Sequence, residues 1–507
     1  MSLFDMTKDE FKRAVSMWGI ALCVFAAAVG WIFIRFGQAW SIADLPRSPY
    51  VDMIVPAYII ADVAMLPVSA KLVDKFGCKN VLFAGPPIYI LGSLLCVVAP
   101  SVEALSFYRL IQGAGAGLVL GLAFSCVGKY YDADKRAKCN ELMTAAFALG
   151  SLFGSAMGYF LTETFNWRAG FIVFAGCMLV GFVVAWRFLP KEEIEDVPLD
   201  NIAVVLTMAV FGAAAAYTQM INVIFELFTI ESGLMLLVII ALTAALMIRS
   251  YKVPGSPMPT HTSGFEKIMI ILMFMFSVCG LGLIQYFFKL YLTYYEFDIY
   301  KASLMFLAML GGAAITSILG SRYVYRTGAK WWIVCGSVIV TGGLILTHFI
   351  AAEGIWYMAL SLFVFGIGLG CIVAEILCSV QTVVPKKDMG MHIGNLMAVR
   401  MIGILAGNAV IGAYINEVVH GGRDTSAIDL YHTDSIIETL KQYIADGLTY
   451  VADSLSTGFL TSALILACVT AALTFLAYKL GKDDVEELTR ISGTENEECQ
   501  TSENLSE

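Results

Sequence analysis

The chain has 507 residues, of which 59% are hydrophobic and 14% charged, and its mean hydropathy is +0.77. A water-soluble protein cannot bury that much apolar surface, so the composition excludes an ordinary globular protein and predicts many membrane spans. The net charge of −9 says little about partners, because much of it comes from the stretch after Lys482. We interpret residues 1–14 as a cytoplasmic N-terminus and residues 483–507 as a disordered acidic cytoplasmic tail.

Fourteen apolar runs are long enough to cross a bilayer as helices, which takes about 20 residues each. Helices are expected because lipid offers no partner to exposed backbone groups. The predicted spans are 15–37, 51–70, 80–99, 104–128, 137–160, 168–189, 200–218, 228–249, 267–292, 302–325, 331–351, 355–380, 389–416 and 456–479. The seventh and eighth have the least sharply marked boundaries.

The distribution of Lys and Arg predicts the topology. Cations concentrate in the loops and termini that lie inside if both ends of the chain are cytoplasmic. The outer loops then hold only Arg47, Arg168, Lys301, Arg423 and Lys441. This asymmetry favours an even number of spans and a plasma-membrane protein with both termini inside. The one long outer loop, 417–455, is either a passive solvated loop or a lid.

A short charged turn, 70–79, separates the second and third spans and returns in weakened form later in the chain. Gly77, Lys79, Gly85 and Gly92 recur 251 positions later as Gly328, Lys330, Gly336 and Gly343. Gly113, Gly115 and Gly117 recur 253 positions later as Gly366, Gly368 and Gly370. A membrane chain built from two related halves is the usual plan of a transporter that binds its substrate between them.

Charges within predicted spans are costly and usually functional. Asp62, halfway along the second span, is our first candidate for a proton carrier, because burial raises the affinity of a carboxylate for protons. The alternative is a permanent ion pair with Arg35 or Arg400. Glu375 in the twelfth span is a second proton-site candidate, or else a water-facing residue of an inner vestibule. Arg109 would either shift the proton affinity of a nearby acid or anchor the backbone of the fourth span.

Cations outnumber acids within the spans, and a cavity with surplus positive charge favours an anionic substrate. We expect Arg35 and Arg400 to be candidates for contacting substrate, although Arg35 could instead reach the membrane interface. Trp31, Tyr58 and Tyr286 are aromatic candidates for the cavity wall, the alternative being ordinary packing. The full set of charges is Asp62 and Glu375 against Arg35, Arg109, Lys289 and Arg400.

Four motifs together resemble the major facilitator superfamily over about residues 22–480. The turn 70–79 resembles its signature between helices 2 and 3, and Tyr108–Gly115, which contains Arg109, resembles its helix-4 signature. Asn166–Phe171 resembles the entry to helix 6, and Asn395–Arg400 followed by Gly403 and Gly407 resembles helix 13 of the 14-span drug:proton antiporter branch.

The resemblance implies an all-α integral membrane protein with the major facilitator fold. It implies a six-helix bundle in 15–192, two inserted helices in 193–256 and a second six-helix bundle in 257–482. Within the turn, Asp74 lies beside small residues and can accept hydrogen bonds from the N-terminus of a helix in the other half. Asp74 and Gly77 would form a conformational latch, with Lys75 and Lys79 holding the loop at the anionic inner leaflet. The alternative is that Asp74 pairs with a neighbouring lysine.

The functional prediction is secondary active transport of small amphipathic molecules by alternating access, with proton-coupled export as the leading form. The alternative is an organic-anion or metabolite symporter or exchanger, favoured by the surplus cations and by Gly154–Tyr159, which lacks the proline of the antiporter signature. We expect a monomer that is not an enzyme and needs only substrate, a coupling ion such as the proton, and the bilayer. No cofactor, metal or nucleic acid is expected, because the chain shows neither a metal-spaced Cys/His cluster nor a phosphate-binding loop.

Overall fold

The computed structural model describes residues 8–46, 48, 50–131, 133–190, 197–221, 229–259, 262–281, 305, 308–316, 319, 329–350, 354–384, 388–420, 461 and 464–472. Helices dominate this part of the chain. They are α1 (Lys8–Asp44), α2 (Ile54–Phe76), α3 (Cys78–Val97), α4 (Val102–Tyr130), α5 (Ala133–Thr164), α6 (Trp167–Phe188), α7 (Asn201–Met220), α8 (Ile230–Lys252), α9 (Gly264–Phe276), α10 (Ala329–Ile350), α11 (Ile355–Val383) and α12 (Met389–His420). A π-helical turn, Ser277–Leu281, continues α9, and 308–316 and 464–472 are also helical.

The all-helical prediction is confirmed for the described residues. Ten of their helices are long and apolar enough to cross a membrane, namely α1–α4, α6–α8 and α10–α12. The predicted seventh and eighth spans correspond to α7 and α8 within three residues. α1 and α5 extend beyond their predicted spans at both ends, because a helix does not have to stop where its apolar part stops. Most of the predicted tenth span and the ends of the ninth and fourteenth lie outside the described residues.

Side chains at the helix starts explain several boundaries. Ser101, Asn166, Asp200, Thr229 and Ser263 each accept a hydrogen bond from a backbone N–H in the first turn of α4, α6, α7, α8 and α9. Such caps satisfy donors that have no partner within the helix.

Gly77 has φ = 79° and connects α2 directly to α3. This left-handed backbone is costly for residues with a Cβ, which explains a glycine at the turn.

Glycines set the close helix contacts of the first half. A methyl group added at Gly113 would lie 2.1 Å from the carbonyl oxygen of Tyr58, and one at Gly117 would lie 2.3 Å from that of Asp62. These contacts hold α4 against α2. On the neighbouring face of α4, a methyl group at Gly115 would lie 2.2 Å from the backbone nitrogen of Tyr89 in α3.

The second half repeats these contacts at the spacing found in the sequence. A methyl group at Gly366 would lie 2.0 Å from the carbonyl oxygen of Met309, and one at Gly370 would lie 2.3 Å from that of Ala313. Met309 and Ala313 follow Tyr58 and Asp62 by 251 positions. The internal repeat is therefore present in the packing of the described residues. The domain boundaries themselves stay predictions.

The repeat also relates α1 and α5 to α9 and α12. Gly150 and Gly154 of α5 pack against Phe25 and Val29 of α1, while Gly403 and Gly407 of α12 pack against Phe274 and Val278. The two glycines of α12 follow those of α5 by 253 positions. Their partners Phe274 and Val278 follow Phe25 and Val29 by 249 positions. Each residue of one half can thus be compared with a counterpart in the other.

The halves meet where α2 and α4 of the first pack against α12 of the second. α7 lies against both α2 and α12, and α8 packs on α7 with most of its side chains exposed. We call the end of the bundle with Asp74 and the start of α12 the Asp74 end. The opposite end, with the end of α1 and the start of α6, is the Asp44 end.

Candidate functional site

Asp74 joins the two halves. Its carboxylate accepts hydrogen bonds from the backbone N–H groups of Gly390 (3.2 Å) and Met391 (2.9 Å) in the first turn of α12. It also forms an ion pair of 3.3 Å with Lys129 at the end of α4. A carboxylate is well placed there because the N-terminus of a helix carries partial positive charge and unpaired donors. Both partners that the sequence suggested for Asp74 are therefore present, the N-terminus of a helix in the other half and a lysine. A latch function for this contact stays a proposal.

Lys75 and Lys79 contact the chain between α6 and α7. The Lys75 ammonium group donates to the carbonyl of Val197, and that of Lys79 donates to the carbonyl of Leu189. The Lys79 nitrogen also lies 5.6 Å from the centre of the Trp186 ring. These protein contacts hold the Gly77 turn against the first half. Contact of the two lysines with lipid headgroups stays a prediction.

A second polar contact between the halves lies at the same end and was not predicted. The amide nitrogen of Asn140 in α5 donates to the side-chain oxygen of Gln381 in α11 at 2.7 Å. Arg136 donates to the backbone carbonyl of Gln381, also at 2.7 Å. All three side chains are buried. Their signal in the sequence is weak, because two amides and an arginine near span ends resemble ordinary loop-flanking residues.

A third buried polar group lies beside the Asp74 contact. His392, in the first turn of α12, shares a short hydrogen bond with Glu266, in the first turn of α9. The amide of Asn395 donates to the carbonyl of Pro257 at 2.7 Å. His392 and Glu266 are too far apart in the chain for spacing to have suggested the pair. Together with Asp74, they surround the start of α12 with polar contacts.

Asp62 lies in the middle of α2 and is only 4% exposed. Its Oδ1 atom is buried and has no hydrogen-bond partner. No described cation lies within ion-pair distance, so the predicted pair with Arg400 is absent in this structure. The other predicted partner, Arg35, belongs to α1, and its side chain lies outside the described part. The counterpart of Asp62 in the second half, Ala313, has no charge.

Arg109 is fully buried and well coordinated. Its Nη1 donates to the Gly30 carbonyl (2.8 Å) and to the side chain of Gln112 (2.7 Å), and its Nε donates to the Ile54 carbonyl. The guanidinium carbon lies 4.3 Å from the centre of the Tyr58 ring. Arg109 thereby connects α1, α2 and α4. This favours the anchoring alternative, while a role in coupling stays a prediction.

Tyr58 belongs to the same buried group. Its hydroxyl donates to the carbonyl of Ala27, and the hydroxyl of Tyr89 donates to that of Ala26. The hydrogen bond to α1 favours the packing alternative for Tyr58, while a place in the cavity wall stays a prediction. Trp31 is half-buried and its ring centre lies 5.5 Å from that of Phe147. Tyr286 and Lys289 lie outside the described residues.

Arg400 and Glu375 are the charges of the second half. Glu375 is 1% exposed within α11, and Arg400 is 9% exposed within α12. Arg400 Nε is buried without a hydrogen-bond partner, as is the Nη2 of Arg109. By the repeat spacing, Arg400 corresponds to Phe147 and Glu375 to Leu122. The corresponding positions of the first half are therefore both apolar.

Within the described residues, no group of three or more His, Cys, Asp and Glu side chains could hold a metal ion. In the described part of the chain, the site therefore consists of polar contacts at the Asp74 end and buried charges at mid-depth.

The sequence is similar to several curated transporters. The multidrug transporter protein MdtP of Bacillus subtilis (strain 168) is 22% identical over 428 residues, which cover 81% of this chain and 77% of that protein. Multidrug resistance protein 3 of the same organism is 26% identical over 191 residues, 37% of each chain. The putative multidrug resistance protein MdtD of Pectobacterium atrosepticum is 26% identical over 185 residues, 36% of this chain and 40% of that one. The last two alignments span less than half of those relatives.

Solved structures share the fold. The human organic anion transporter MFSD10 (TETRAN) superposes with a TM-score of 0.59 at 12% identity, covering 92% of this chain and 100% of that one. The proton:xylose symporter XylE gives a TM-score of 0.58 at 12% identity, with 93% and 96% covered. The sequence model of the Major Facilitator Superfamily matches residues 20–288 and 270–428. With this match over most of its length, the chain belongs to the Major Facilitator Superfamily.

Proposed function

We propose that this chain is a secondary active transporter that exports small amphipathic molecules by alternating access, coupled to proton entry. The relatives named as multidrug transporters support export of amphipathic compounds. The contact of Asp74 with the start of α12 is the observation that carries the proposal, because it joins two related halves at the Asp74 end of a membrane-spanning bundle. Two such halves can rock about a midplane site.

The Asp74 end is the cytoplasmic end in this proposal, and the protein is a plasma-membrane monomer with both termini inside. The charged turn at Gly77 and the cation-rich loops support this orientation. The structure then corresponds to the state closed toward the cytoplasm. Opening that side requires Asp74 to leave the N–H groups of α12 and requires Gln381 to leave Arg136 and Asn140.

Asp62 is the proposed proton carrier. An ionised carboxylate that is buried without a partner is costly, and taking up a proton removes its charge. Asp62 sits on the same helix as Asp74, twelve residues away, or about 18 Å at the helical rise of 1.5 Å per residue. A change in the charge of Asp62 can therefore act on the helix that carries the latch. Glu375 is a second candidate for the same role.

The alternative function, transport of an organic anion or metabolite by symport or exchange, is favoured by the buried Arg400. It differs from the leading proposal in the coupling and direction of transport.

The test uses the full chain in proteoliposomes with an acidic interior and a neutral exterior, and follows accumulation of the cationic dye ethidium. The wild-type chain should accumulate the dye, and collapse of the gradient should release it. Asp62→Asn should abolish this uphill accumulation yet keep exchange of labelled for unlabelled dye. Asp44→Asn, which changes a carboxylate paired with Arg168 at the opposite end, serves as the matched control.

Dye accumulation that ignores the gradient would contradict proton coupling. Full uphill accumulation by Asp62→Asn would exclude Asp62 as the carrier and move attention to Glu375. Failure to move ethidium, together with gradient-independent exchange of dicarboxylates, would favour the alternative function.

A further inference from the structure

We infer that the transported amphipathic molecules include compounds with an anionic group, of the carboxylate type, which binds Arg400 of α12. This inference rests on the proposed function and specifies its substrate class. Four observations support it. They are the lack of a hydrogen-bond partner for the buried Nε of Arg400, the residue at its counterpart position in the first half, its depth in the bundle, and the residues that surround it.

The first observation is the contrast between two buried arginines. Arg109 gives hydrogen bonds to two carbonyls and one side-chain amide and stacks on Tyr58. One donor of Arg109, the buried Nη2, has no acceptor. Arg400 lacks such anchoring contacts with the described residues: it makes no ion pair with a described acid, and its buried Nε also has no acceptor. A buried guanidinium is costly unless it is paired, so an anionic partner that arrives with the substrate would stabilise it. The planar guanidinium fork matches a carboxylate in particular.

The second observation comes from the internal repeat. Arg400 takes the place that Phe147 has in the first half, where the ring of Phe147 packs on Trp31 of α1. By the spacing that relates α1 to α9, the position of Trp31 is taken by Gly280. Glycine has no side chain, so the second half has no ring at the position that corresponds to Trp31. An aromatic pair in one half is thus replaced by a cation and a glycine in the other.

The third observation is depth. Asp62 precedes Asp74 by 12 residues (74 − 62) on α2, and Arg400 follows Gly390 by 10 residues (400 − 390) on α12. Since Asp74 bonds to Gly390, both charges lie on the same side of that contact, about 18 and 15 Å along their helices. Each half therefore supplies one buried charge at about the same level, the midplane level at which transporters bind substrate.

The fourth observation concerns the surroundings of Arg400. The π-helical turn Ser277–Leu281 lies on the neighbouring helix, where Gly403 and Gly407 pack against α9. Such turns often occur at functional sites. Buried apolar side chains of α12, Met397, Met401 and Ile404, flank Arg400. A cation among apolar groups suits a molecule with an apolar body and one acidic group.

The test compares two ligands that differ only in charge, 4-phenylbutyrate and its neutral amide 4-phenylbutanamide, both tritiated. Binding to the purified full chain at pH 7.5 is measured by scintillation proximity. The wild-type chain should prefer the acid by at least about tenfold, the effect of one charge-assisted hydrogen bond. Arg400→Gln should weaken binding of the acid by about ten- to hundredfold and leave the amide unchanged, while Arg400→Lys should keep part of the preference.

Arg249→Gln is the matched control, because Arg249 lies on the peripheral helix α8 and pairs with Asp200. It should bind both ligands as the wild-type chain does. Equal binding of acid and amide by the wild-type chain would overturn the inference, and so would a preference that survives in Arg400→Gln. If Arg400→Gln does not fold, the comparison of acid with amide on the wild-type chain and on Arg400→Lys decides the matter.

Failure of this inference can be told apart from failure of the proposed function. Gradient-driven accumulation of ethidium without any preference for the acid would overturn the inference and leave the transporter proposal intact. An acid preference that depends on Arg400, without gradient-driven transport of either dye or acid, would support the binding site and contradict proton-coupled export.

Discussion

Replacing Asp74 by Asn should open the cytoplasmic side. The carboxylate accepts from two N–H groups of α12 and pairs with Lys129. The amide of Asn has one oxygen, so one N–H group loses its acceptor and Lys129 loses its charge partner. Hydrogen bonds to a charged group contribute about 1.5–3 kcal/mol each, and a charge at a helix N-terminus adds about 0.3–1 kcal/mol. A loss of about 2–4 kcal/mol would raise the ratio of open to closed protein by about 30- to 700-fold.

The thiol of Cys378 reports this opening. It lies 4.0 Å from the amide nitrogen of Asn140 and is buried at the contact between α5 and α11. In inside-out vesicles, a membrane-impermeant maleimide should modify Cys378 slowly in the wild-type chain and at least about 30-fold faster in Asp74→Asn, as followed by peptide mass spectrometry.

Asp44→Asn is the control for this measurement, because Asp44 contacts Trp167 and Arg168 within the first half, at the other end of the bundle. Its rate of Cys378 modification should match that of the wild-type chain. Equal rates in Asp74→Asn and the wild-type chain would refute the reasoning that the Asp74 contact keeps the two halves together.

Three further predictions concern stability in detergent, measured as the midpoint of thermal unfolding. Gly366→Ala should lose about 1–3 kcal/mol, because its methyl group would overlap a carbonyl oxygen of the adjoining helix, whereas Gly176→Ala meets nothing within 4 Å and should be neutral. Arg109→Lys should lose about 2 kcal/mol, because an ammonium group cannot reproduce the fork of hydrogen bonds. The pKa of Asp200 is lowered because Arg249 donates to it, so Asp200→Asn should lose less stability than the wild-type chain as the pH falls from about 5 to 3.

Each of these predictions has a result that contradicts it. Equal midpoints for the two alanine variants would show that α11 can move away from its neighbour without cost. An unchanged midpoint in Arg109→Lys would show that the charge suffices. For Asp200, a lowered pKa means that the stabilisation is present above the ordinary pKa and disappears as the pH falls through the folded value. Parallel pH profiles of the wild-type chain and Asp200→Asn would therefore contradict the pairing with Arg249.

The sequence by itself determined the class of the protein, most of the described spans and the internal repeat. Hydropathy reveals the spans because a helix in lipid must be apolar over about 20 residues, and this apolar length depends only on residues that are consecutive in the chain. The glycine spacing was equally informative. A helix contact that leaves no room for a methyl group requires a glycine, so the same glycine recurs where the second half repeats the contact. The sequence also identified Asp62, Asp74, Arg109 and Arg400 as charges within or next to apolar spans.

Only the tertiary structure decided what those charges contact. Asp74 bonds to residues more than 300 positions away, and Glu266 finds His392 across two helices, which no local pattern encodes. Arg109 and Arg400 look alike in sequence, as single arginines within glycine-containing apolar spans. Arg109 donates to two backbone carbonyls and an amide oxygen, whereas Arg400 makes no ion pair with a described acid and its buried Nε has no acceptor. The partners of a side chain depend on which helix faces meet, and the packing of distant segments determines that.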